Sequence, residues 1–283
     1  MNQPRDIEVA GVRVPAFMYG TAWKEDATEA LTKQALAAGF RAIDTANQRR
    51  HYVETGVGDA VAAAITSGAI TRAELFLQTK FTFARGQDHR KPYDPSANYG
   101  DQVMQSFESS LEHLRTPYVD SYVLHGPEHG VGISTGDREV WSAMTDLAAS
   151  GRARCLGISN VSAEQLAELC ALNVARPTFV QNRCYARTGW DREVRLLCRR
   201  HGIVYQGFSL LTANRHVLVH PDVLLPAKRL GVSAAATIFR FAMDVGMLPL
   251  TGTTDVKHMR ADLAVLDLPP LTDAERTAIE AIG

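Results

Sequence analysis

No apolar run in this 283-residue chain reaches the ~18–20 residues that a membrane-spanning helix needs, so no transmembrane segment is expected. The opening residues MNQPRDIEVAG carry no apolar core of a signal peptide. Cysteine is scarce. The four present, Cys155, Cys170, Cys184 and Cys198, lie far apart without C-x-x-C spacing or a nearby pair of histidines. A zinc site or disulfide framework is therefore not expected, no metal is assigned, and the cysteines read as small buried hydrophobes in a reducing cytoplasm. Charge of neither sign is in excess. Thirty Lys+Arg stand against 31 Asp+Glu, so nothing in the balance draws the chain to phosphate backbones, and nucleic-acid binding is not expected. There is no low-complexity tract, long linker or shift of composition, which leaves residues 1–283 as a single domain. With 46% hydrophobic and 22% charged residues, disorder is excluded as well.

What is present is an alternation. Eight short runs rich in β-branched and aromatic residues recur along the chain: AFMYG (16–20), FRAID (40–44), LFLQTK (75–80), VDSYVLH (119–125), ARCLGIS (153–159), TFVQN (178–182), IVYQGF (203–208) and MLPLTG (247–252). Helical patterns separate them. Residues 25–38 space Ala and Leu helically, and 97–114 place Val103, Phe107 and Leu111 on one face. Ser162 with Gln165 fits a capping box, 190–201 and 233–245 are further helices, and Thr272-Asp273 opens a last one. Eight strand–helix alternations close a parallel sheet into a (β/α)8 barrel of the TIM type. Ahead of it, IEVAGVRVP turns at Ala10-Gly11 as an N-terminal β-hairpin. An open doubly wound sheet is the competing fold, but the G-x-G-x-x-G it wants after the first strand is absent.

Chemistry in such a barrel sits where the strands end. The second, third and fourth strands end on Asp44, Lys80 and His125. Singly, each has an ordinary structural explanation as a turn, surface or loop residue. Together they have a chemical logic. An Asp–Lys pair keeps the ammonium charged and oriented, the ammonium lowers the pKa of a nearby Tyr, and the Tyr donates a proton to a carbonyl oxygen that the His polarises.

The segments GFRAIDTANQ, VETGVGDAV, LFLQTK, VDSYVLHGPE, GISNVSAEQL and FVQNRCY, in that order, closely resemble the aldo-keto reductase superfamily. The resemblance runs from about Gly20 to Asp262. It implies a (β/α)8 barrel, a nicotinamide dinucleotide bound without a Rossmann fold, and reduction of a small aldehyde or ketone to the alcohol. It also implies an Asp–Tyr–Lys–His tetrad, in which Asp44, Lys80 and His125 take the family's Asp, Lys and His positions. The family's Tyr position, five residues after the Asp, holds Arg49 here. Counting back from Val57-Gly58 instead reaches His51, with Tyr52 beside it. Tyr52 is assigned as the acid, with His51 as the alternative. Where the family often has a Trp after its His, this chain has Gly126-Pro127, which fits either a wider pocket or simple loop variation. The chain ends soon after its last helix, as in members with an open site.

On the cofactor side the resemblance implies that Ser159, Asn160 and Gln181 hold the nicotinamide carboxamide, offering both donor and acceptor. Phe208 would stack on the ring. Ser209 and Leu211 would continue the pyrophosphate loop, and Thr21 and Trp23 would line the near side of the pocket. The backbone of Gly252, Thr253 and Thr254 at a helix start would bind phosphate. Lys257 and His258, with Arg260 close by and Asp262 further on, would face the 2′-phosphate. The resemblance implies NADP(H), while His258 in place of the family's Arg removes a fork-shaped, always-charged donor and leaves NAD(H) open. Two other functions compete: a low-turnover regulatory or cofactor-sensing member of the same fold, and a barrel lyase or aldolase using Lys80 as a Schiff-base nucleophile. The sequence names no partner protein.

Overall fold

In the computed structural model residues 5–172 and 174–283 are described; residues 1–4, which the single-domain reading includes, lie outside them. Eight parallel strands form a closed barrel: β3 (Met18–Gly20), β4 (Ala42–Asp44), β5 (Phe76–Phe81), β6 (Val119–Leu124), β7 (Ala153–Ser159), β8 (Phe179–Arg183), β9 (Val204–Phe208) and β10 (Met247–Thr251). They follow one another in chain order around the barrel, and β10 closes it on β3 through Leu250↔Met18. Each strand matches one of the eight apolar runs to within two residues. Strands covered on both faces read as continuous apolar runs rather than as alternations. All six residues of β5 and of β6 are buried.

Helices cover the outside: α1 (Thr28–Ala38), α2 (Glu54–Thr66), α3 (Tyr99–Leu114), α4 (Thr135–Ala149), α5 (Ala163–Ala171), α6 (Arg192–His201), α7 (Pro221–Leu230), α8 (Ala234–Asp244), α9 (Val256–Ala264) and α10 (Asp273–Glu280). Their starts are set locally. Ser162 accepts from the Gln165 N–H in a reciprocal capping box, and Thr272 does the same with Glu275. Val103, Phe107 and Leu111 are all buried on the inner face of α3. α2 and α3 approach so closely that a Cβ on Gly58 would lie 1.9 Å from the His113 carbonyl oxygen, so only glycine fits there. Among the described residues no helix is long and apolar enough to cross a membrane. All four cysteines are free and buried.

The hairpin forms as expected, β1 (Asp6–Val9) pairing antiparallel with β2 (Val12–Pro15). Both turn residues have positive φ, +50° at Ala10 and +73° at Gly11, as a two-residue type I′ hairpin requires. Val12 and Val14 pack with Met18, Phe76, Phe179 and Leu248, closing the bottom of the barrel. The opposite, C-terminal end stays open.

Candidate active site at the mouth of the barrel

Register sets a polar layer just below the mouth. Asp44 pairs with Gln78 across β4 and β5, and Gln181 pairs with Gln206 across β8 and β9. These side chains meet in the barrel interior around one oxygen. Asp44 Oδ1 accepts from Lys80 Nζ at 2.6 Å, Gln78 Nε2 at 2.7 Å and Gln181 Nε2 at 3.0 Å. Gln206 Oε1 accepts from Gln78 and Gln181, and its own amide donates back to Gln78 Oε1 at 3.0 Å. Lys80 is fully buried and donates also to the Thr45 carbonyl at 2.8 Å. Burial pulls its pKa below the ordinary lysine value, and the Asp44 carboxylate opposes that pull. Ion pairs buried this deeply persist only where further hydrogen bonds satisfy both partners, and the glutamines supply them.

The loop after Asp44 carries both Tyr52 and His51. Asn47 anchors it to α3, its Nδ2 donating to the Ser106 carbonyl at 3.0 Å, and Gln48 donates to the Gly86 carbonyl at 2.7 Å. The N–H groups of His51 and Tyr52 both return to the Gln48 carbonyl, a tight turn that sends the two side chains apart. His51 stacks on Trp23, ring centroids 3.9 Å apart, at the outer lip. The Tyr52 ring faces inward, 5.3 Å from Lys80 Nζ and 5.9 Å from the His125 ring in an edge-to-face pair. The chain therefore brings Asp44, Tyr52, Lys80 and His125 together, while His51 lines the same cleft at its lip against Trp23.

Two details differ from expectation. The Lys80 ammonium lies toward the Tyr52 ring, and among the described residues the Tyr52 hydroxyl makes no hydrogen bond, so the direct Lys–phenol bond is not formed. The Tyr52 pKa is also raised rather than lowered. Burial is the main cause, Asp44 adds to it and Arg183 works against it.

His125 caps β6, its N–H on the Phe81 carbonyl and its Nδ1 2.7 Å from Thr82 Oγ1. Burial first, then the charge of Lys80, pushes its pKa down to about 3, so the imidazole is neutral at neutral pH. In the tautomer where Nδ1 accepts from the Thr82 hydroxyl, Nε2 carries the proton and is a donor. Tyr52 and His125 open into a cleft of about 900 Å³, shared with Trp23, Asn160, Arg183 and Phe208.

The residues assigned to the cofactor divide by depth. Trp23 (67% exposed), Asn160, Phe208 and Ser209 border the cleft. Thr21 is buried, its hydroxyl spent on the Asp44 carbonyl at 2.9 Å. Leu211 packs half-buried against the core. Ser159 donates to the Gln181 carbonyl at 2.5 Å, and Asn160 Nδ2 bonds the His125 carbonyl at 2.7 Å and Ser159 Oγ at 3.1 Å. With the Gln181 amide hydrogens on Asp44 and Gln206, the two amide side chains offer acceptors, not the donor–acceptor pair expected of them. Gly252, Thr253 and Thr254 precede α9, whose N-cap is Asp255. Its carboxylate accepts from the Lys257 N–H at 2.6 Å and sits at the helix start where a phosphate was expected. Lys257 and His258 are exposed nearby. Asp262 is buried on Thr251 Oγ1 at 2.8 Å, its carboxyl pushed up to about 6 by burial.

Four residues escaped the sequence reading. Gln78 and Gln206 interrupt apolar buried strands, a signal that each needs an internal partner. Lys24 lies four residues past the end of β3. It is buried, donates only to the Gly252 carbonyl at 2.7 Å, and burial brings its pKa down to about 8. Arg183 ends β8 at the cleft.

The model of the Aldo/keto reductase family matches residues 17–215. The oxidoreductase YtbE of Bacillus subtilis, itself uncharacterised, is 27% identical over 275 residues, covering 96% of this chain and 90% of that protein. The aldo/keto reductase structure from Brucella melitensis superposes with a TM-score of 0.81 at 26% identity, over 99% of this chain and all of that one. A Bombyx mori aldo-keto reductase in complex with NADP gives the same TM-score at 24% identity, over 100% of this chain and 93% of that one, a likeness of fold. With that family model spanning most of the barrel and the barrel itself in place, the chain belongs to the aldo/keto reductase family of oxidoreductases.

Proposed function

We propose that the protein reduces a small aldehyde or ketone to the alcohol with NADP(H), using Tyr52 as proton donor. The observation that carries this reading is the meeting of Tyr52, the Lys80–Asp44 pair and a neutral His125 at one cleft. The residues around that cleft fit a dinucleotide. Lys24 is a buried ammonium with one carbonyl acceptor and no carboxylate partner among the described residues, which suits a pyrophosphate oxygen. Phe208 offers a half-exposed aromatic face, and the Gln181 and Asn160 carbonyls offer acceptors to a carboxamide. Reduced nicotinamide, when bound, supplies the hydride. The Tyr52 hydroxyl, unbonded and protonated, gives its proton to the carbonyl oxygen as negative charge develops there, while His125 Nε2–H donates to the same oxygen. Lys80, fixed by Asp44, provides the positive field that favours the phenolate left behind. Lys257 and His258 favour NADP(H) over NAD(H), and the Asp255 carboxylate works against that preference.

The test is NADPH oxidation followed at 340 nm across a panel of aldehydes and ketones. Turnover that disappears in Tyr52→Phe supports the reading. A cofactor-sensing role is the second reading, supported by the Lys80 ammonium facing the Tyr52 ring rather than its hydroxyl; tight NADPH binding without turnover selects it. A Schiff-base lyase, which needs an unpaired Lys80, is disfavoured by the Asp44 contact.

A further inference from the structure

We infer that Arg183 forms an anion-binding half of the substrate pocket, so that the carbonyl substrate carries a carboxylate. The inference rests on the reductase reading and narrows it to oxo or aldehydo acids. Arg183 ends β8 beside Phe208, with which it is in register, and its guanidinium lies 5.7 Å from the Phe208 ring centroid. Its one side-chain hydrogen bond among the described residues is a long one, 3.5 Å to the Tyr185 hydroxyl, and no carboxylate lies within ion-pair distance. Arg85, on the same cleft, donates to the Pro127 carbonyl at 2.5 Å and also lacks an ion pair among the described residues.

The one carboxylate lining the cleft, Asp191, is held by two neutral donors rather than by a guanidinium. Its Oδ2 accepts from the Tyr205 hydroxyl at 2.8 Å and from Asn182 Nδ2 at 2.9 Å. His125 is neutral, and burial together with Arg50 lowers the pKa of His51 as well. The cleft thus presents two guanidinium groups, Arg85 and Arg183, against the one Asp191 carboxylate, with no ion pair between them among the described residues. A guanidinium fork matches a carboxylate with two parallel hydrogen bonds, and such charge-assisted pairs are stronger than neutral ones. Arg183 and Tyr52 line the same cleft, so an anion held by Arg183 shares that space with the proton donor. Arg183 also stands apart from the proposed phosphate side, where Lys24 bonds the Gly252 carbonyl between β3 and β10. Arg183 therefore sits at the Phe208 end of the cleft, where the proposed nicotinamide would meet the carbonyl substrate, and not at the phosphate end.

The experiment compares 4-carboxybenzaldehyde with its methyl ester in the full-length wild-type, Arg183→Met and Arg183→Lys proteins, with NADPH affinity measured by fluorescence titration. The wild type should prefer the acid. Arg183→Met should lose about 10–100-fold in kcat/KM on the acid, mainly through KM, with the ester and NADPH affinity unchanged. Arg183→Lys, which keeps the charge without the fork, should fall between. Equal losses on acid and ester, a wild type indifferent to the charge, or a parallel loss of NADPH affinity would overturn the assignment. If neither aldehyde is reduced, the reductase reading fails instead. The anion site is then tested by calorimetric titration with 4-(hydroxymethyl)benzoate and its methyl ester. An acid preference that is absent, or that survives Arg183→Met, overturns it there.

Discussion

Replacing Lys80 by methionine separates what its charge does for the fold from what it does for the chemistry. The Lys80 side chain is fully buried, and its two bonds go to Asp44 Oδ1 at 2.6 Å and the Thr45 carbonyl at 2.8 Å. Methionine fills similar volume but leaves the Asp44 carboxylate, 4% exposed, without its cation. Removing one partner of a buried pair costs ~3–5 kcal/mol. The Gln78 and Gln181 amides remain on Asp44, which places this case near ~3 kcal/mol, the lower end of that range. Combining Asp44→Asn with Lys80→Met removes the stranded charge while the new carbonyl still accepts from both glutamines, so about 2 kcal/mol should return. Activity should not return with it, because the proton donor still lacks its positive neighbour, and both variants should turn over ~10²–10⁴-fold more slowly than wild type. Guanidinium denaturation reads the first quantity and NADPH oxidation the second. A single variant as stable as wild type would refute the buried-pair argument, and a double variant with restored turnover would remove Lys80 from the chemistry.

Three further outcomes follow from the same geometry. Tyr52→Phe should lower kcat by ~10²–10⁴-fold with NADPH affinity unchanged, whereas His51→Gln should alter kcat little; the reverse pattern would make His51 the acid. Lys24, with its pKa brought down to about 8, is charged below that pH in the free protein and neutral above it. If it meets the pyrophosphate, NADPH affinity should be flat below pH 8 and weaken by about tenfold per pH unit above it, and titrations of Lys24→Met should lose that slope. Asp255→Asn keeps the cap on α9 but removes a negative charge from its start, so NADPH should tighten by about 2–5-fold relative to NADH. An unchanged ratio would place the 2′-phosphate elsewhere.

The barrel was legible because fully buried parallel strands leave continuous apolar runs, and eight of those runs punctuate the chain. The helices were legible unevenly. α3 carries Val103, Phe107 and Leu111 at helical spacing, and α5 and α10 announce themselves by Ser162 and Thr272. α2 contains Gly56 and Gly58, which lower helix propensity; Gly58 is there because α3 leaves no room for a Cβ. α7 holds Pro226 in its interior, a residue that normally breaks the pattern by which helices are found.

Asp44, Lys80 and His125 were placed by strand ends, which fix both position and direction. Tyr52 and His51 were not separable that way, because a loop has no period and a shift of one residue changes which side chain enters the cleft. Packing separates the two rings, since the Gln48 turn gives Trp23 a partner in His51 and leaves Tyr52 nearer Lys80. Gln78 and Gln206 were overlooked for a different reason. A polar residue within an apolar strand looks like noise until its partners, which lie on strands distant in sequence, are known.

Those glutamines tie the two halves of the proposed site together. Lys80 belongs to the proton-donating side and Gln181 to the cofactor side, yet both donate to the same Asp44 oxygen. Gln206 holds the Gln181 amide from below and is itself held by Gln78, so each member of the layer fixes the orientation of the next. An amide held in this way cannot rotate without freeing a buried donor, at a cost of about 1–3 kcal/mol. It follows that a change at Gln206, remote from any substrate, should be felt on both sides at once. It would loosen the Gln181 amide proposed to meet the carboxamide and remove support from the carboxylate that fixes Lys80. Two functions that seem separable along the chain therefore share one oxygen in the fold.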